Sequence, residues 1–149
     1  SDVCSSDLAR YNTVTGVWEY VYYPLDAAAS AAGGWVGLSE IVHVGGDQFA
    51  VIERDNQGNA DAVIKKIYSF SIDGITFKTD ENQASFETLT KSLVRDIYPD
   101  LEATKGAILE KIEGMSIQAN GDVLIVNDND GVDDSNGETQ LINLGNLFK

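Results

Sequence analysis

The chain repeats a pattern of strands and turns, and this repetition constrains its fold more than any other feature of the sequence. Residues 40–44 (Glu-Ile-Val-His-Val) resemble residues 113–117 (Glu-Gly-Met-Ser-Ile) at an offset of 73. After one inserted residue, residues 49–52 resemble residues 123–126 at an offset of 74. Each copy contains a glutamate, a strand, a Gly/Asp turn, a second strand, a loop rich in acids and amides, and a third strand. A recurring unit of several strands is typical of a β-propeller or another repeat array.

Two further matches extend the repeat at an offset of 74, residues 55–56 with 129–130 and residues 67–68 with 141–142. This spacing exceeds the roughly 40–50 residues of an ordinary propeller blade. We attribute the excess to an insertion within residues 73–89, where the sequence predicts little regular structure. The alternative is two similar hairpins in a β-sandwich. However, both copies share a loop rich in acids and amides, which hairpin geometry does not require.

Short runs of aromatic and β-branched residues, separated by turn residues, predict strands along most of the chain. The predicted strands are residues 10–12, 18–23, 40–44, 49–53, 64–72, 112–118, 123–126 and 139–144. Residues 90–97 have apolar side chains at helical spacing, but we favour a strand there, and residues 99–106 predict a short helical turn. The prediction is therefore an all-β fold of antiparallel β-meander blades that form part of a β-propeller. Half a blade is expected over 10–25, a full blade over 39–97, and three strands of another over 112–144.

The first eight residues, Ser-Asp-Val-Cys-Ser-Ser-Asp-Leu, are interpreted as foreign to the native protein. They resemble the in-frame translation of the end of a short-read sequencing adapter, and such segments are excluded from fold reasoning. Residues 9–149 are then the C-terminal part of a propeller domain. We expect residues 1–8 to be extended or disordered and not to pack into the strands. The single cysteine, Cys4, belongs to this excluded segment.

The strongly acidic composition argues against two classes of partner. The chain has 24 Asp and Glu residues against 10 Lys and Arg, a formal net charge of −14. Such a chain repels nucleic acid and anionic membrane surfaces, so neither is an expected partner. No stretch approaches the roughly 20 apolar residues that a membrane-spanning helix needs, so no membrane span is expected.

The loop over residues 127–138 contains five carboxylates and no cation. Neighbouring carboxylates repel one another unless a cation or bulk water relieves them, and calcium prefers oxygen ligands from carboxylates, amides and carbonyls. In a propeller, the residue opening a blade's first strand and the loop after its second strand lie at one rim, which adds further carboxylates. The candidate calcium ligands are Glu40, Asp55, Glu113, Asp128, Asp130, Asp133, Asp134 and Glu138. The loop lacks the EF-hand pattern, and a solvated acidic loop with Asx-turns is the alternative.

Several segments resemble a known family, the "esterase-like activity of phytase" family. They are residues 39–42, 51–58 (which contain Glu-Arg-Asp-Asn), 91–96, 110–115 and the acidic run 127–140. The resemblance covers nearly all of residues 9–149. It implies a bacterial β-propeller that is commonly exported to the periplasm or the extracellular space, and it implies hydrolysis of phosphate or other esters.

Two hypotheses about function follow. The first is a calcium-assisted phosphoester hydrolase in which rim carboxylates hold the metal and Arg54, Lys65 or Lys66 contacts a small-molecule phosphate or other ester. The second is a non-catalytic propeller that binds a ligand or partner and uses calcium structurally. A serine hydrolase is not expected, because residues 37–41 lack the final glycine of the Gly-x-Ser-x-Gly motif. Residues 9–149 alone are expected to be inactive and marginally stable or self-associating, because blades bury one another's faces.

Overall fold

The computed structural model describes residues 5–79, 85–129 and 139–148. Within these ranges the chain forms nine strands, one short α-helix and a 3-10 turn at Asn59–Asp61. The strands are β1 (Ser5–Asn12), β2 (Val17–Pro24), β3 (Val36–Gly45), β4 (Gln48–Asp55), β5 (Lys65–Ser71), β6 (Lys91–Asp96), β7 (Ile112–Ile117), β8 (Asp122–Asn127) and β9 (Leu141–Asn146). The helix α1 spans Tyr98–Ala103.

The nine strands form three antiparallel sheets whose strands follow chain order. The first sheet contains β1 and β2, the second contains β3 to β6, and the third contains β7 to β9. This arrangement confirms the prediction of antiparallel β-meanders, with the strand favoured for residues 90–97 present as β6. The helical turn predicted after it is present as α1, with Pro99 in its first turn, where a missing backbone N–H costs nothing.

The sequence repeat is visible in the strand register. Ile41 pairs with Val51 in the second sheet, and 74 residues later Met115 pairs with Ile125 in the third. A β-bulge interrupts both pairings at the same place, between Leu38 and Glu40 and between Ile112 and Gly114.

The predicted offset of 73 for the first strand of the repeat is therefore wrong. The structural offset is 74 throughout, so Glu113 occupies the position of Ser39 and Gly114 that of Glu40. The glutamates at 40 and 113 fall one residue apart in the repeat. Both copies contain the bulge, so it does not shift one copy relative to the other; the offset of 73 came from matching two glutamates that hold different positions in the repeat.

The second sheet is buried on both faces, and strand alternation divides its side chains between two cores. Toward the third sheet, an aliphatic core includes Ile52, Ile67 and Ile125. Toward the first sheet, an aromatic core includes Tyr23 and Phe70. This two-sided burial positions the charged ends of β4 and β5 between neighbouring sheets.

The connection between β5 and β6 crosses to the first sheet, although the sequence predicted little order there. The backbone N–H of Tyr20 donates to the carbonyl of Lys78 over 2.8 Å, and that of Lys78 donates back over 3.1 Å. Tyr22 donates to Glu87, and Leu89 donates to Tyr22, both over 2.8 Å. The predicted insertion thus supplies an edge partner for β2.

The N-terminal strand differs from expectation. Ser5 to Leu8 belong to β1 and pair with β2 from Pro24 to Val21, and Leu8 packs against the aromatic core. The expectation that residues 1–8 would not pack is wrong for residues 5–8. Residues 1–4 lie outside the described ranges, and the foreign origin of residues 1–8 stays a prediction.

Candidate functional site

The candidate site lies at the end of β4, where three consecutive charged residues are buried. Glu53, Arg54 and Asp55 have almost no solvent-exposed surface. Burying a charge costs several kcal/mol unless a partner compensates it. Because successive strand residues point to opposite faces, Glu53 faces the first sheet and Arg54 faces the third. Each face therefore contains its own set of partners.

Lys65 and Asp55 form a fully buried ion pair on the side of the third sheet. Lys65 Nζ donates to Asp55 Oδ1 over 2.7 Å, to the Asp55 carbonyl over 3.0 Å and to the Gln57 carbonyl over 2.7 Å. The Lys65 side chain is 0% exposed. An ammonium group has three donors, so Lys65 is saturated by the chain itself.

Asp55 is saturated in the same way. Its Oδ2 accepts hydrogen bonds from the backbone of Val63 over 2.7 Å and of Ile64 over 2.9 Å. Burial acts to raise the pKa of Asp55, but the hydrogen bonds from Lys65 and these two amides outweigh it and lower the pKa. Asp55 is consequently an ionised group whose oxygens are already occupied.

Arg54 bridges the second and third sheets. One guanidinium nitrogen donates to Glu113, and the other donates to the Asp55 carbonyl over 3.3 Å and lies 3.7 Å from Glu110. Its Nε is buried with no hydrogen-bond partner in the described part of the chain. We call Arg54, Asp55, Lys65 and Glu113 the enclosed cluster.

A second group of charges lies on the opposite face, between the first and second sheets. We call it the open cluster; its members are Tyr23, Asp26, Glu53, Lys66, Tyr68 and Lys91. Three donors converge on the Asp26 carboxylate. Lys66 Nζ and Lys91 Nζ each lie 2.8 Å from it, and Tyr68 Oη donates to it over 2.7 Å.

Glu53 connects this cluster to the protein interior. Its Oε2 accepts from Lys91 Nζ over 2.7 Å and from Tyr23 Oη over 2.8 Å. Its Oε1 accepts from the backbone N–H of Asp26 over 2.7 Å. Glu53 therefore holds both Lys91 and the start of the loop that carries Asp26.

The lysines of the open cluster keep contact with solvent, unlike Lys65 of the enclosed cluster. The side chains of Lys66 and Lys91 are 24% and 13% exposed. Burial acts to raise the pKa of Asp26, but hydrogen bonds from Lys66, Lys91 and Tyr68 outweigh it and lower the pKa to about 2. Burial, followed by the hydrogen bond to Asp26, raises the pKa of Tyr68 to about 12. At neutral pH the cluster thus presents ionised Asp26 and a protonated phenol.

The structure separates the three cations proposed for phosphate. Arg54 and Lys65 belong to the enclosed cluster, whereas Lys66 belongs to the open cluster on the other face. Asp26 and Lys91 were not predicted from the sequence as site residues. The alternation of Lys66, Tyr68 and Phe70 along β5 could have indicated a shared face for the first two, but no local pattern indicates a loop aspartate.

The carboxylates proposed for calcium are also dispersed. Asp55 and Glu113 are paired with cations of the chain, and Glu40 accepts a hydrogen bond from the backbone of Ile41 over 2.8 Å. Asp128 is exposed at the end of β8. The remaining candidates lie outside the described residues: Asp130, Asp133, Asp134 and Glu138. Over the described ranges, no group of three or more acidic, histidine or cysteine side chains could hold a metal.

Ser39 has a structural role. It lies in β3, and its Oγ donates to the Ile112 carbonyl over 2.7 Å, which joins the second and third sheets.

Among the described residues, no helix is long and apolar enough to cross a membrane.

Comparison with known proteins identifies one family. The family model described as "Phytase-like: Esterase-like activity of phytase" matches residues 4–131. No curated protein and no solved structure matches the chain. Because the family match spans most of the sequence, the chain belongs to the phytase-like family.

Proposed function

We propose that this chain forms part of a hydrolase that cleaves phosphate or other esters of small molecules. The family match over residues 4–131 carries this proposal, since the family's description is an esterase-like activity. The bacterial origin and the periplasmic or extracellular location implied by the sequence resemblance belong to the same proposal. Fractionation of the native host, with detection of the protein in the exported fraction, tests the location.

A β-propeller is the architecture we propose for the whole domain. Three consecutive antiparallel meanders support it, as does the shared register of β3–β5 and β7–β9. Packing of the second sheet between two cores supports it further, because propeller blades stack face to face around an axis. The charged ends of β4 and β5 then lie at one rim, where loops on a rigid scaffold commonly form sites.

Lys66 is the phosphate contact that the geometry favours among the three cations first proposed. Its side chain is 24% exposed, whereas Lys65 is saturated by buried acceptors and Arg54 is enclosed. We assign Arg54 and Lys65 the role of holding the end of β4 in place. Positioning of this kind matters because a site works only when its supporting groups are fixed.

Calcium is proposed to bind the acidic loop over residues 127–138. When bound, calcium would neutralise the loop and polarise a phosphoryl oxygen. Asp55 and Glu113 do not fit this role, because Lys65 and Arg54 already compensate their charges. Asp128, exposed at the end of β8, is the described residue that fits it best.

Hydrolysis assays on the protein from its complete reading frame test the function. We expect turnover of p-nitrophenyl phosphate or p-nitrophenyl acetate, with phosphatase turnover falling in chelator and returning with calcium. Asp128→Asn should weaken the calcium response, while Asp100→Asn, on α1, should not. Turnover of neither ester would overturn the hydrolase proposal and favour a non-catalytic propeller.

Thermal melting distinguishes calcium that only stabilises the structure from calcium that takes part in turnover. Calcium that binds only the native state raises the melting temperature by mass action. A rise in melting temperature together with calcium-independent turnover would indicate structural calcium. Identical melting in calcium and in chelator would overturn the calcium proposal.

A further inference from the structure

The open cluster has the arrangement of an oxyanion-binding site, and a carboxylate of the protein itself occupies that site. Two ammonium groups and one phenol hydroxyl surround the Asp26 carboxylate at 2.7–2.8 Å. Short charge-assisted hydrogen bonds from Lys to a carboxylate oxygen are the same interactions that bind a phosphate oxygen. The donor set therefore matches a phosphoryl group as well as it matches Asp26.

The donors and their present acceptor differ in how firmly the fold holds them. Lys66 and Tyr68 lie on β5, and Lys91 opens β6, so hydrogen-bonded strands hold the backbone of all three donors in place. Asp26 lies instead in a loop without regular structure between Pro24 and Val36, whose following residues are mostly small and exposed. The Asp26 backbone N–H is bound to Glu53, so the carboxylate moves away by rotation of the side chain while the donors stay in place.

The balance of charges favours binding of an anion at the position of Asp26 rather than at that of Glu53. Glu53 is fully buried and bound to Tyr23 as well as to Lys91. Among the described residues, withdrawing Asp26 into solvent leaves Lys66 without a carboxylate partner and Lys91 with only Glu53. The vacated position then attracts a second negative group. A partly exposed ion pair is worth little, so solvent can compensate Asp26 once it leaves.

We propose that Lys66, Lys91 and Tyr68 form a phosphoryl-binding subsite, and that the Asp26 carboxylate occupies it when no anion is bound. This inference rests on the proposed function, because it names the residues that would bind the phosphoryl group of the ester. Inorganic phosphate and a phosphate monoester share the chemistry that the subsite recognises. The ionised state of Asp26 at neutral pH, with its pKa near 2, agrees with its role as a competing anion.

Binding of inorganic phosphate and of phenyl phosphate, measured by isothermal titration calorimetry, tests the subsite directly. Asp26→Asn keeps the size of the side chain but removes the competing charge, so affinity for both anions should rise about tenfold, equivalent to about 1.4 kcal/mol. Lys66→Met should lower affinity about tenfold by the same conversion. Lys105→Met is the matched control, since Lys105 is exposed outside the cluster, and it should leave affinity unchanged.

Equal affinity in the wild type, Asp26→Asn and Lys66→Met would overturn the subsite. If a variant does not fold, the wild type still decides the question, because a native-state ligand raises the melting temperature. Melting should shift upward in inorganic phosphate or phenyl phosphate relative to chloride at equal ionic strength, and the absence of a shift with both anions would overturn the proposal. A response to phenyl phosphate but not to inorganic phosphate would assign the subsite to esters.

These readouts do not depend on turnover. Ester hydrolysis with unchanged anion affinity in the variants would reject the subsite and keep the hydrolase. Anion binding that follows the predicted order, without hydrolysis of any ester, would keep the subsite and reject the hydrolase.

Discussion

The two faces of the second sheet accommodate charge in different ways. Toward the third sheet, Lys65 is wholly buried and its three donors meet three acceptors near the end of β4. Toward the first sheet, Lys66 and Lys91 stay partly exposed and share the carboxylate of a loop residue. Adjacent residues of one strand thus serve different purposes. A saturated charge fixes the structure, whereas a charge with an exchangeable partner is available to a ligand.

The hydrophobic cores on the two sides of the second sheet also differ in composition. The buried members of the core toward the third sheet are aliphatic side chains and one methionine, whereas those of the core toward the first sheet include Tyr23, Tyr68 and Phe70. Tyrosine combines an apolar ring with a polar tip. Its hydroxyl groups therefore extend the aromatic core into the open cluster, as the hydrogen bonds of Tyr23 to Glu53 and Tyr68 to Asp26 show.

The largest expected difference between the faces is in stability. Lys65→Met should lower the free energy of unfolding by about 3–5 kcal/mol, because it leaves Asp55 as a buried charge without its counterion. Lys66→Met, one residue along β5, should cost about 0–1 kcal/mol, because its ion pair is partly exposed. Urea denaturation of both variants measures the difference. Equal losses would contradict the distinction between enclosed and open clusters.

Glu53 is expected to have an intermediate effect. Glu53→Gln removes the charge that Lys91 and Tyr23 contact, and should cost about 1.5–3 kcal/mol. It should also release the loop, so the Asp26 amide, which donates to Glu53, should exchange its hydrogen faster in deuterated water. Glu19→Gln, on β2 and paired with Arg10 near the surface, is the control. An equal loss in this control would contradict the role of Glu53.

The smallest effect concerns the pH dependence contributed by Asp26. Its pKa is about 2 in the folded chain and 3.8 in the reference state, so its stabilising effect is present above pH 3.8. That effect is lost as pH falls toward 2, because the unfolded chain takes up the proton first. The stability difference between wild type and Asp26→Asn should therefore shrink across this range, by less than about 2 kcal/mol after solvent screening. A difference that stays constant from pH 5 to pH 2 would contradict the assignment.

Local sequence patterns predicted most of the strands and few of the site contacts. Aromatic and β-branched runs located β2 and β4 because their alternation depends on neighbouring residues alone. The partners of Asp26 are 40, 42 and 65 residues away, and no local pattern specifies such contacts. Grouping Lys65 with Lys66 ignored the opposite directions of successive strand residues.

The connection between β5 and β6 has a consequence for how the protein tolerates changes in length. Surface loops usually accept deletions, because few hydrogen bonds depend on them. This connection instead pairs with β2 at Tyr20 and Tyr22, so shortening it would expose an unpaired strand edge, a known cause of aggregation. The connection joins two strands of the second sheet, but it also acts as an edge strand of the first sheet. We therefore expect natural or engineered variants to preserve its length.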